Sequence, residues 1–138
     1  MEERIKDKVE EIEGLLSELN EIRVDSIEEY LDDVKTRAAC ERYFEKIVEA
    51  IMDLSFFVIR EKELKMPEED EGALKILAGA GIIDENLYSR LSNAKGMRNF
   101  IIHQYEKIDD ELVFEALSGE LEKDVTEFLD KIKKEKGK

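Results

Sequence analysis

Apolar positions recur every three or four residues along most of the chain, the period that lines up one face of an α-helix. Ile5, Val9, Ile12, Leu16 and Leu19 form the first such stripe and predict a first helix. The pattern loosens from Asn20 to Asp25. Ser26 followed by Glu29 then fits a capping box, in which each side chain satisfies an orphan amide at a helix start. The spacing predicts a long second helix beyond it, with Ile27, Leu31, Val34 and Ala38 on one face. From Tyr43 this helix carries two stripes, Phe44, Ile47, Ile51, Leu54 and Val58 on one side and Tyr43, Ala50 and Phe57 on another. Two apolar sides require two neighbours, either two helices of the same chain or one helix and a partner subunit.

The run EKELKMPEEDEG around Pro67 predicts a loop, because proline lacks an amide donor and resists a continuous helix. A short helix follows with Leu74, Ile76 and Leu77, and Gly79 and Gly81 stop it. Asp84 is a candidate N-cap for a helix bearing Leu87, Leu91, Ala94 and Ile101. Asp109 or Asp110 caps a last helix, with Val113, Leu117, Leu121, Val125, Phe128 and Ile132 facing inward. No strand pattern, linker or internal repeat interrupts this series. The expected fold is all-α, an antiparallel four-helix bundle with an additional short helix. It forms one domain over residues 1–138, with 132–138 as a frayed basic tail.

Composition narrows the classes. The chain has 138 residues, and its apolar fraction of 42% is too high for an acidic disordered chain. The longest stretch without a charge runs from Ile76 to Ile83, far short of the roughly 18–20 apolar residues of a membrane helix. The start, MEERIKDKVEE, lacks the apolar core of a signal peptide. One cysteine and one histidine make neither an intrachain disulfide nor an all-protein zinc site. The expectation is a cytoplasmic protein without metal or cofactor. Cys40 is read as a small buried hydrophobe.

The net charge of −14 repels phosphates unless positive charge is focused somewhere. Residues 84–107 hold 4 basic and 3 acidic side chains, while the segments on either side are strongly acidic. That stretch also holds the single histidine and ends Arg98-Asn99-Phe100-Ile101-Ile102-His103-Gln104-Tyr105. Arginine offers a permanent charge and a planar fork for phosphate oxygens. Histidine gives or takes a proton near neutrality. Together they can cleave RNA without a metal: His103 as general base or acid in attack by a ribose 2′-hydroxyl, Arg98 stabilising the charge on the phosphoryl oxygens.

Helix geometry constrains the pair. At about 100° per residue, Arg98 and His103 stand roughly 140° apart around a straight helix. Asn99 shares a face with His103, and Arg98 with Tyr105. Either two such helices meet across a twofold axis and make a composite cleft, or the helix breaks near His103. Residue chemistry alone also allows a structural histidine and a surface ion-paired arginine.

MRNFIIHQY resembles the R-x-x-x-x-H motif of the HEPN ribonuclease superfamily, in the R-x-x-x-x-H-x-Y form of HepT toxins. TRAACERYFEKIVEAIMDLSFFVI looks like the long second helix of that family, and ILAGAGIIDENL like its turn before the motif helix. YEKIDDELVFEAL resembles the segment after the motif, so the likeness extends over residues 26–132. It implies that Arg98 and His103 are catalytic, that Asn99 assists, and that the protein is an all-helical homodimer, with higher oligomers left open. It also implies a metal-independent endoribonuclease toxin of a toxin–antitoxin pair. The implied partners are RNA and a MntA-like nucleotidyltransferase antitoxin, which would neutralise the toxin by transferring AMP to Tyr105. The alternative expectation is a non-catalytic helical binding module that partners a minimal nucleotidyltransferase.

Overall fold

The computed structural model describes residues 2–68, 71–103 and 109–135. Seven α-helices occupy them: α1 (Glu3–Ile22), α2 (Ile27–Asp32), α3 (Val34–Glu61), α4 (Glu71–Gly79), α5 (Glu85–His103), α6 (Asp110–Glu115) and α7 (Leu121–Glu135). No strand occurs among the described residues. Helices α1, α3, α5 and α7 form the bundle, and α4 is the additional short helix.

Side-chain pairs fix the helix directions. Tyr43 donates to Glu18 at 2.7 Å, while Lys8 meets Asp53 at 3.5 Å, so α1 and α3 run antiparallel. Lys133 reaches Glu13 at 2.9 Å and joins the end of α7 to the middle of α1. Arg90 of α5 binds Asp124 at 2.5 Å and Glu127 at 3.0 Å, both on α7. The hydrogen bonds to these two carboxylates hold the Arg90 guanidinium even more firmly protonated than usual. Between the helices, Ile12, Phe44, Ile47, Leu54, Leu87 and Phe128 are completely buried.

Two helices expected to be continuous are broken, each by a local polar device. The expected long second helix divides at Asp33, whose backbone (φ −121°, ψ 101°) is extended. Its carboxylate accepts from the amides of Lys35 and Thr36 at 3.0 and 3.3 Å and from the Thr36 hydroxyl at 2.8 Å. Those bonds hold the Asp33 carboxyl below its ordinary pKa and start α3 there. Consequently Leu31 and Val34, expected on an inward face, are exposed.

The expected last helix is interrupted by a π-type turn over Ala116–Glu120. Gly119 sits at φ 126°, and the Ser118 hydroxyl donates to the Phe114 carbonyl at 2.7 Å. Arg23 donates to the Leu117 carbonyl at 3.2 Å and satisfies an acceptor at the kink. Asp109, not Asp110, is the cap, accepting from Glu111 and Leu112 amides. The inward set is as expected: Val113, Leu117, Leu121, Val125, Phe128 and Ile132 are all buried.

Gly119 gives a clean test of the kink. A Cβ placed there meets nothing within 4 Å, so an alanine clashes with no neighbour and suffers only the unfavourable positive φ. Gly119→Ala is expected to destabilise the fold by about 1–3 kcal/mol. A lowered midpoint in urea unfolding is the expected sign, and an unchanged midpoint would mean that the turn is not held in this conformation.

Candidate active site

Helix α5 begins at Asp84, whose side chain accepts from the Leu87 amide at 2.7 Å, the N-cap expected for it. The turn before it closes over Gly81 (φ 79°), with the Ile82 amide donating to the Leu77 carbonyl at 3.0 Å. From there α5 runs without interruption to His103. The break expected near His103, one of the two ways of aligning the pair, does not fall within Glu85–His103, and residues 104–108 lie outside the described residues. Arg98 and His103 stay roughly 140° apart around one axis.

The two side chains have different surroundings. Arg98 turns toward α3, with 16% of its side chain exposed and Nη1 3.8 Å from Glu49 Oε1. That separation is an ion-pair contact but too long for a hydrogen bond. Arg98 Nε is buried with no hydrogen-bond partner among the described residues. His103 is exposed at the end of α5 and makes no hydrogen bond or ion pair with another described residue. Asn99 is half-buried. Phe100, three residues before His103 and so on the same side of the helix, is 42% exposed, and Ile102 is 37% exposed. Tyr105 lies outside the described residues.

The side of α5 turned away from His103 is anchored. Ala94 and Met97 line a cavity of about 80 Å³ with Phe44 of α3 and Leu121 of α7, and Arg90 and Asp124 close one wall. This contact and the Arg90 pairs fix α5 in the bundle, so the Arg98–His103 turn is carried on a rigid element. Two residues beside the motif were not singled out from sequence. Lys95 occupies the next step of the Leu87–Leu91 stripe and is buried, with Nζ lacking a hydrogen-bond partner among the described residues. Glu49 is the carboxylate facing Arg98. A lysine in an apolar stripe was a readable signal for the first, whereas only tertiary packing identifies the second.

No metal-holding group of three or more His, Cys, Asp or Glu side chains occurs among the described residues. Cys40 is buried as expected, and burial first, then neighbouring Glu41, pushes its thiol pKa up and away from reactive thiolate. None of the described helices is long and apolar enough to cross a membrane.

A profile of the family described as ribonuclease HepT-like matches residues 5–132. The chain belongs to the HepT-like ribonuclease family. A protein of Archaeoglobus fulgidus named as an RNase is 30% identical over 118 residues, 83% of this chain and 80% of that one. The mRNA nuclease HepT of Shewanella oneidensis is 28% identical over 91 residues, 66% of this chain and 68% of its own length. The tRNA nuclease HepT of Aphanizomenon flos-aquae is 25% identical over 118 residues, 86% of this chain and 80% of that one. Among solved structures, the tri-AMPylated Shewanella oneidensis HEPN toxin in complex with MNT antitoxin has a TM-score of 0.88 at 22% identity. That likeness covers 96% of this chain and 98% of the other and extends to the fold.

Proposed function

We propose that this protein is a metal-independent endoribonuclease toxin that cleaves RNA through Arg98 and His103, with Asn99 in support. The observation that carries the reading is the intact Arg98-to-His103 spacing on α5, which ends in an exposed imidazole, within a chain of the HepT-like ribonuclease family. The chemistry is transesterification. The ribose 2′-oxygen bonds to the adjacent phosphorus, the bond from phosphorus to the 5′-oxygen breaks, and the products are a 2′,3′-cyclic phosphate and a 5′-hydroxyl. One imidazole takes the 2′-hydroxyl proton, and the leaving 5′-oxygen receives a proton. The Arg98 guanidinium offsets charge gathering on the non-bridging oxygens.

A homodimer supplies the geometry that one straight helix lacks. Two copies of α5 across a twofold axis set His103 of one beside Arg98 of the other and place two imidazoles in one cleft, as base and acid. The exposed Phe100, on the same side of α5 as His103, supports this face as the place where a second copy packs.

The reading includes control by a MntA-like nucleotidyltransferase antitoxin that transfers AMP from ATP to Tyr105. The tyrosine hydroxyl gives up its proton to solvent, its oxygen bonds to the α-phosphorus, pyrophosphate leaves, and the adenylate adds bulk and negative charge seven residues along the chain from Arg98. The supporting likenesses are toxin–antitoxin structures, one with an AMPylated toxin and one with AMP-PNP. The experiment compares RNA cleavage before and after treatment with ATP and such a transferase. Wild type is expected to cleave RNA, spare DNA of the same sequence for want of a 2′-hydroxyl, and fall silent on treatment. Tyr105→Phe is expected to stay active throughout. Silencing of Tyr105→Phe by the same treatment would contradict the assignment of the tyrosine, and untreated wild type inert toward varied RNAs would contradict the ribonuclease reading.

A further inference from the structure

Three buried side-chain polar atoms lack a hydrogen-bond partner among the described residues, and two of them, Lys95 Nζ and Arg98 Nε, lie on adjacent turns of α5. Lys95 is only 7% exposed. An ammonium held in that state is unfavourable when the water it has lost is not replaced by an acceptor, and none of the described residues supplies one. Helical side chains lean back toward the helix N-terminus, so Arg98 covers the turn that carries Lys95. The carboxylate at this seam is Glu49 of α3, 3.8 Å from Arg98 and 45% exposed. Two cations thus lie one turn apart on α5, and only Arg98 meets a carboxylate there, loosely held and half-solvated, in a chain whose net charge is −14.

We propose that Lys95 and Arg98 form a two-cation seat for one backbone phosphate of RNA, and that Glu49 occupies this seat as a displaceable counter-charge until RNA binds. The proposal rests on the ribonuclease reading above and adds a binding residue and a gate to it. A phosphate's non-bridging oxygens accept from an ammonium and a guanidinium together, which supplies the acceptors that Nζ and Nε lack. Arg98, 16% exposed, lies at the solvent side of the seam, and Glu49 is exposed enough to swing outward. The flexible four-carbon stem of Lys95 lets Nζ follow the incoming phosphate. In the free protein Glu49 also discourages stray anions, so the seat opens for a polyanion that brings several phosphates at once.

The test measures binding of fluorescein-labelled single-stranded RNA in EDTA at several salt concentrations, with every protein carrying His103→Ala so that RNA stays intact. Adding Lys95→Met is expected to weaken binding about tenfold. It should also reduce the slope of log affinity against log salt by about 0.7, the share of one phosphate contact on a single strand. Adding Glu49→Gln is expected to tighten binding severalfold. It is the second line of evidence should Lys95→Met fold poorly, because Glu49 is half-solvated. A structural lysine would predict otherwise: Lys95→Met would raise the thermal midpoint and leave affinity and salt slope unchanged, and that result overturns the seat. Unchanged affinity in Glu49→Gln overturns the gate. Cleavage by wild type with an unaltered slope in Lys95→Met removes the seat while leaving the ribonuclease reading intact. RNA neither bound nor cleaved by any form removes both.

Discussion

The His103→Ala protein is expected to keep the helix content and thermal midpoint of the wild type while cleaving RNA about 100-fold to 10,000-fold more slowly, the usual contribution of a positioned acid or base. The structural half of this expectation follows from the position of the side chain. His103 is the last residue of α5, exposed, and without a hydrogen bond or ion pair to another described residue. Among the described residues its removal leaves no cavity and no stranded partner, the two usual sources of a large stability loss. Circular dichroism and a melting curve check the first half, and single-turnover cleavage of end-labelled RNA checks the second. A histidine that served only the fold would give the reverse pattern, with a lowered midpoint and retained activity.

Arg98→Ala is expected to have an effect of similar size through a different step. A donor aimed at the developing phosphoryl charge contributes about 100-fold to 1,000-fold in rate. Arg98→Lys is expected to recover only part of the loss, because an ammonium keeps the charge but not the planar two-pronged donor set. The stability cost should be small, since Arg98 meets Glu49 at 3.8 Å and that carboxylate is half-exposed. Cleavage rates for the three proteins at saturating RNA are the measurement. Equal rates for the lysine variant and the wild type would show that charge alone suffices, and wild-type rates in the alanine variant would remove Arg98 from the chemistry.

The legible parts of the fold are those governed by short-range rules. The stripe from Ile5 to Leu19 marks α1, and the caps at Ser26 and Asp84 hold, with Ser26 accepting from the Glu29 amide at 3.1 Å. Both misread helices failed for one physical reason: apolar spacing continued in phase across a polar interruption. Ile27, Leu31, Val34 and Ala38 keep helical spacing through Asp33, so the stripe hid a cap that Asp33 and Thr36 together specify. Val113, Leu117, Leu121 and Val125 run at steps of four through Ser118 and Gly119. A π-type turn absorbs an additional residue and leaves the inward face aligned on both sides of the kink.

The site divides in a similar way. Arg98, Asn99 and His103 stand out by type and spacing, and α5 carries all three as one continuous helix. Lys95 was visible as a charged step in the Leu87–Leu91 stripe, but its lack of a partner is a property of packing. Glu49, far from the motif in sequence and opposite it in space, has no local signal at all. Tyr105 lies outside the described residues, and its role is left to chemistry.

The most direct test of the central claim is cleavage of end-labelled RNA in excess EDTA by wild type and His103→Ala purified identically, with product ends analysed and intact mass checked for a pre-existing adenylate. The account predicts cleavage by unmodified wild type alone, leaving a 2′,3′-cyclic phosphate or its hydrolysis product and a 5′-hydroxyl. Cleavage lost in EDTA, or equal cleavage by the His103→Ala protein, would contradict it.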